Sequence, residues 1–268
     1  MTKKQEIEQF VIDGYKNISP QFVTDGVHNF VLKNRADNFI LNTPDKFAYH
    51  RWAASLKSSQ AFAYNVFSGV KDKNLEFELK LNVFDTPAQI DVKIESEETN
   101  TIDLFEVKMF EISSSEKIEF ESKYDNKDKY EYISPEITEA FICFKNEVIC
   151  HFEGKKIYGG GIKQLCSHLL GMLNNMNAPE FKGKKLNLYS FCFDNPSLTW
   201  FKDDVDNYKT ALKEFNILAD TFLKSINANS CIEYHGFLSA YEYIKKHEQL
   251  LGKHNFDYVQ KRYFFNAQ

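Results

Sequence analysis

The chain has 268 residues, of which 43% are hydrophobic, and its 33 basic and 38 acidic side chains leave a formal net charge of -5. That length and apolar content are enough for a large buried core and exclude a disordered chain, while the negative balance excludes indiscriminate binding to polyanions, which needs a positive surface. No apolar run approaches the roughly 20 residues of a bilayer span and the first residues form no signal-like apolar stretch, so a cytoplasmic protein with no membrane contact is expected.

Residues 3–33 read as two helices broken near Asn17 to Pro20, with Ile7, Phe10, Val11 and Tyr15 at helical spacing. They form an expected N-terminal helical appendage over 1–45. Thr43-Pro44-Asp45 is a helix-start signal, and the pattern predicts one long helix from there to Phe67. On it Leu56, Ala63, Tyr64 and Phe67 share a face with Gln60, an amide that must find partners: either a polar cavity in the core or a backbone group to cap.

Leu75 to Phe84 alternates acidic and apolar residues and predicts a strand. Its Glu76 and Glu78 are exposed acids by default and additional site carboxylates otherwise. Two further strands, Ala88–Glu95 and Thr101–Phe110, flank the polar turn from Ser96 to Asn100. A turn centred between Glu98 and Thr99 sets Asp91 opposite Glu106. Directly opposed residues have Cβ atoms roughly 4.5 to 5.5 Å apart, and two like charges there destabilise a sheet unless something neutralises them. Lys108 projects from the same face as Glu106, and so do Leu104 and Phe110, which implies that this face is covered. Charged groups rarely enter a covered face without partners. The opposite face carries Ile90, Val92, Ile94, Phe105, Val107 and Met109, for burial against a second layer.

Residues 113–129 are polar and read as a surface excursion. A helix is predicted from Pro135 to about Phe152, then another from Ile162 to Met176 after the glycines at 159–161. That glycine run lacks the following Gly-Lys-Ser/Thr of a phosphate loop. Gln164, His168, Gly171 and Asn175 form a polar stripe beside the buried one; a lone His there is ordinarily structural, but beside Gln164 it can touch a phosphate. A buried strand follows at Lys185–Phe193, then helical patterns at about 203–225 and 237–251. Five cysteines, at 143, 150, 166, 192 and 231, form no CxxC pair, which predicts buried reduced thiols and neither disulfides nor structural zinc. The order helix, strand, hairpin, helix, strand, helices gives an α/β (α+β) core over 46–195 with a mixed central sheet flanked by helices. A C-terminal helical extension over 196–268 completes one compact domain.

Asp91 with Glu106-x-Lys108, in that element order, resembles the PD-(D/E)xK nuclease superfamily. More narrowly, Ser58-Ser59-Gln60-Ala61 resembles the Ser-Ser-Gln-Ala helix of a group of restriction endonuclease-like proteins. The motif order covers about residues 50–195. The resemblance implies a restriction-endonuclease-like core in which Asp91, Glu106 and Lys108 are catalytic, and in which Asp91, Glu106 and the Val107 carbonyl hold Mg²⁺, with Mn²⁺ as a substitute. Gln60 and Gln164 fall at supporting positions. It departs from the pattern twice: Ile90 stands where a proline is expected before Asp91, and Gln60 stands where many relatives carry an acid. The implied activity is a type II restriction-like endonuclease, acting as a homodimer on double-stranded DNA and leaving 5′-phosphate and 3′-hydroxyl ends. A junction resolvase, repair nuclease or RNase of the same fold is the alternative, as is a nucleic-acid-binding module that has lost the chemistry.

Overall fold

Five strands build one mixed sheet in the order β1-β2-β3-β4-β5: β1 Asn74–Leu81, β2 Ala88–Ser96, β3 Thr101–Lys108, β4 Lys185–Cys192 and β5 Ile232–Ser239. The first three pair antiparallel, while β3/β4 and β4/β5 are parallel. Parallel neighbours need long crossovers, and helices supply them here. Helices α3 (Pro135–Phe152) and α4 (Gly159–Asn175) join β3 to β4, and α5 (Lys202–Ser225) joins β4 to β5. The structure, a computed structural model, describes residues 1–21, 30–41, 43, 47–71 and 74–267.

Helix α1 (Lys3–Ile18) opens with a capping box between Thr2 and Gln5, and it buries Ile7, Phe10, Val11 and Tyr15 as the spacing predicts. It belongs to the main core: the Phe10 ring lies 6.1 Å from that of Phe110 and 5.9 Å from that of Phe193. The second expected N-terminal helix falls partly on 22–29, outside the described residues. Its last residues are extended, since Leu32 donates to the Ala54 carbonyl and Leu56 to that of Phe30.

That pairing also shortens the predicted helix 43–67. Residues 44–46 lie outside the described residues, and helix α2 runs only over Ser59–Phe67. It starts where Ser58 accepts the Ala61 N–H at 3.2 Å, because the residues before it have given their backbone groups to the 30–32 segment instead. Helix α2 packs on one face of the sheet, with the Phe67 ring 5.0 Å from Phe105 and 5.2 Å from Phe191. Helix α4 packs close on β1: a Cβ on Gly171 would come within 2.8 Å of the Leu81 Cβ.

The region after 196 is not only helical. It supplies β5, followed by α6 (Ala240–Lys246), α7 (Glu248–Leu251) and α8 (Lys253–Tyr263). The apolar core is continuous from Ile7 to Phe264. A buried polar lock ties its two ends together. Arg262 donates to the backbone oxygen of Asn38 at 2.8 Å and to its Oδ1, while Asn38 Nδ2 donates to Ala53 O and Ser55 O. Asn65 of α2 donates to Asn38 O at 3.0 Å and to the Tyr263 hydroxyl at 2.9 Å. The cysteines divide: Cys166 and Cys192 are buried, Cys231 is partly so, but Cys143 and Cys150 are exposed on the outer side of α3, contrary to their expected burial. No helix among the described residues is long and apolar enough to cross a membrane.

Candidate active site

The hairpin folds in the register its sequence predicts. Ser96 faces Thr101 and Val92 faces Phe105, around a turn in which Asn100 takes a φ of 52°. One step further, Asp91 and Glu106 stand opposite each other where the ladder ends. There the strands part, and the freed Val107 N–H donates to Asp91 Oδ2 at 2.7 Å. The N–H and C=O of a strand residue leave on the same edge, so the Val107 carbonyl is turned toward this gap as well. Lys108 Nζ lies 3.5 Å from it and is bonded to Glu106 Oε1. From α4, His168 Nε2 reaches Glu106 Oε2 at 2.6 Å, while its Nδ1 is buried with no hydrogen-bond partner among the described residues.

All four side chains are buried, Glu106 and His168 to 2% exposure. Burial penalises the Glu106 charge, but Lys108 and His168 outweigh that and hold the carboxyl below the usual range. Burial likewise works against the Lys108 charge, and Glu106 followed by Asp91 reverses it, raising the ammonium above the ordinary lysine value. Asp91 is the unbalanced member. Burial, then the facing Glu106, pushes its carboxyl well above the ordinary value, and the Val107 N–H offsets only part of that.

A third carboxylate stands at the same level one strand away. The pairs Phe77–Val92 and Leu79–Ile90 leave Glu78 level with Asp91, and Glu78 has a φ of 60°, a left-handed conformation rare for a residue with a side chain. Phe77 stacks on Tyr64 of α2 at 4.8 Å, whereas Leu81 lies under α4. Residues four apart on a regular strand would share a face, so Glu78 is where β1 turns over. Its carboxylate is enclosed by donors: Gln60 Nε2 at 2.8 Å on Oε1, with His50 Nε2 at 3.0 Å and Gln89 Nε2 on Oε2. Gln60 also donates to Ala48 O and accepts the His50 N–H, each at 2.9 Å. Both uses foreseen for this amide, a polar site and a backbone cap, are realised together.

The other expected residues divide. Glu76 pairs with Lys93 at 3.3 Å, away from the site. Gln164 is exposed on α4, one turn before the buried His168. His50 carries no sequence signal, since its meeting with Glu78 depends on the course of residues 47–58, whereas Gln89 reaches Glu78 across the β1/β2 pair. His50 is exposed and lines a cleft of about 570 Å³ with Trp52, Lys57, Ser58, Phe110 and Glu111. Its bond to Glu78 raises its pKa above the usual histidine value, although burial opposes this.

Among the described residues, no group of three or more His, Cys, Asp or Glu side chains is arranged to hold a metal ion. A smaller oxygen set has the chemistry a hard cation takes: burial and the facing Glu106 disfavour the ionised Asp91, and a cation between the two carboxyls would restore it. No family model matches the chain, and neither a curated protein nor a solved structure matches it.

Proposed function

We propose that the chain is a Mg²⁺-dependent endonuclease with a restriction-endonuclease-like core, cutting double-stranded DNA as a homodimer. One observation carries this reading: Asp91 and Glu106 meet across a buried hairpin with Lys108 bonded to Glu106, which is the arrangement the PD-(D/E)xK resemblance implies. The order α2, β1, hairpin, α4, β4 with mixed strand directions supports it. Asp91, Glu106 and the Val107 carbonyl would hold the ion, with Mn²⁺ as a substitute. When bound, it supplies Lewis acidity toward the phosphate and a lowered pKa for a coordinated water.

The protein's own groups divide the remaining work. Lys108 and His168 keep Glu106 ionised, and the Val107 N–H fixes the orientation of Asp91. Lys108, held cationic by two carboxylates, stabilises the charge that builds on the phosphate oxygens and does not act as a proton acceptor near neutral pH. In-line attack of water leaves 5′-phosphate and 3′-hydroxyl ends. A two-fold dimer follows from cutting both strands of a symmetric site.

Plasmid and phage DNA incubated with the protein in Mg²⁺, Mn²⁺ or EDTA tests this. Discrete metal-dependent fragments are expected; a smear indicates a non-specific nuclease of the same chemistry, and intact DNA under every condition overturns the proposal. Asp91→Ala and Lys108→Ala should each abolish cutting.

A further inference from the structure

The mechanism above leaves one proton without a donor. When the bond from phosphorus to the 3′-oxygen breaks, its electron pair departs on that oxygen, which must be protonated to leave as an alcohol. Lys108 is committed to Glu106, and Asp91 and Glu106 face each other at the cation position. His50 Nε2 is bonded to Glu78, which stands level with Asp91 on the neighbouring strand, so Nδ1 is the ring nitrogen left for the cleft that His50 lines.

Resting on the phosphodiester hydrolysis proposed above, we propose that His50 is the general acid that protonates the leaving 3′-oxygen, with Glu78 as its positioning residue. Water adds to phosphorus, the bond to the 3′-oxygen breaks, and the His50 Nδ1 proton moves to that oxygen. The proton lost by the water passes to solvent, which reprotonates His50, so none is consumed.

Three independent features support the assignment. First, Glu78 is placed as the anchor of the ring: its Oε2 accepts from His50 Nε2 at 3.0 Å and from Gln89 Nε2, and its Oε1 accepts from Gln60 Nε2 at 2.8 Å. Second, the backbone of Glu78 is held left-handed inside a strand, at a φ of 60°, and strain of this kind persists where the surroundings require a particular side-chain placement. Third, the residue is held at backbone and ring: Gln60 Oε1 accepts the His50 backbone N–H, and Gln60 Nε2 donates to Glu78, which holds the ring at Nε2. The charged groups acting on the ring are Glu78, Glu106 and Lys108; the two carboxylates favour the imidazolium and the lysine opposes it. Glu78 and Glu106 thus favour the protonated ring that an acid must present.

A DNA substrate with sulfur in place of the 3′-bridging oxygen separates this role from a structural one, since a thiolate leaves without protonation. His50→Gln is expected to slow cutting of ordinary DNA about 10² to 10⁴-fold and to cut the sulfur substrate at the wild-type rate. Glu78→Gln should show the same selectivity with a smaller loss, and should lower the His50 titration midpoint followed by NMR. Equal slowing of both substrates by His50→Gln, or slowing of neither, overturns the acid role while leaving the nuclease proposal standing. A His50 midpoint unmoved by Glu78→Gln removes Glu78 from it. If the wild type cuts neither substrate in Mg²⁺ or Mn²⁺, the nuclease proposal falls and the acid role falls with it.

Discussion

Replacing Lys108 by methionine removes the cation on which Glu106 depends and keeps the volume. Lys108 is 5% exposed and Glu106 2%, so no solvent moves in to compensate. Glu106 then has two courses. It can stay ionised with His168 as its remaining partner, at up to the roughly 3 to 5 kcal/mol that an orphaned buried charge costs. It can instead take up a proton, which costs about 1.4 kcal/mol for each pH unit above an unfolded-state value near 4.3. At pH 7 that is about 4 kcal/mol, and at pH 5 about 1. The cheaper course wins at each pH, so the variant should lose about 3 to 4 kcal/mol at pH 7 but only about 1 at pH 5. In the wild type, Glu106 lies below the usual carboxylate range, so its stabilising contribution is complete above about pH 4.3 and fades as pH falls toward about 2. The contrast between pH 7 and pH 5 therefore belongs to the variant. Urea denaturation at both values measures it, and Glu106→Gln combined with Lys108→Met should recover most of the loss. An equal loss at both pH values, or a loss below about 1 kcal/mol at pH 7, would refute the dependence of Glu106 on Lys108.

Asp91→Asn should raise metal-free stability at pH 7 by about 1 kcal/mol, because a carboxyl whose folded value is raised loses stability as pH climbs through its ordinary range toward that value. Mg²⁺ should stabilise the wild type by about 3 kcal/mol at a hundred times its dissociation constant and leave Asp91→Asn unmoved; melting curves with Mg²⁺ and with EDTA check both. Gln60→Glu sets a carboxylate against Glu78 and the Ala48 carbonyl, so about 2 to 4 kcal/mol should be lost at pH 7 and clearly less at pH 5, measured by the same denaturation. Arg262→Met leaves the Asn38 oxygens short of donors and should cost about 3 kcal/mol; a urea midpoint close to wild type would show that this lock does not hold the two chain ends together.

The hairpin was legible because its signal is local: period-two alternation and a four-residue turn fix the register, and the register alone sets Asp91 opposite Glu106. Strand β5 was hidden by a local irregularity. Gly236 has a φ of 76° and sits beside a shift in the β4/β5 register, so Ile232–Ser239 does not alternate cleanly and its end reads as the start of a helix. The start of α2 was misplaced because Thr43-Pro44 is a valid cap signal, while the extended pairing of 54–56 with 30–32 that defers the helix is long-range. The stripe expected on α4 is mostly buried, because spacing alone does not say which edge meets the sheet: His168, Gly171 and Asn175 turn inward where Gln164 does not. His50 and Glu78 are 28 residues apart, joined by a tertiary path and a strained φ that no residue type announces.

The lock around Asn38 also sets the timing of assembly. Asn65, in the last turn of α2, is held by Tyr263 and by Asn255, whose side chain donates to the Asn65 carbonyl at 2.9 Å. Asn38 Nδ2 holds residues 53–55, just beyond His50, and Arg262 completes the lock on the Asn38 oxygens. A ribosome that has already released the Asp91–Lys108 hairpin must therefore still synthesise more than half of the chain before the loop carrying His50 is secured. On a nascent chain the hairpin can thus form before the lock beside the His50 loop is complete, which waits for α8 to dock.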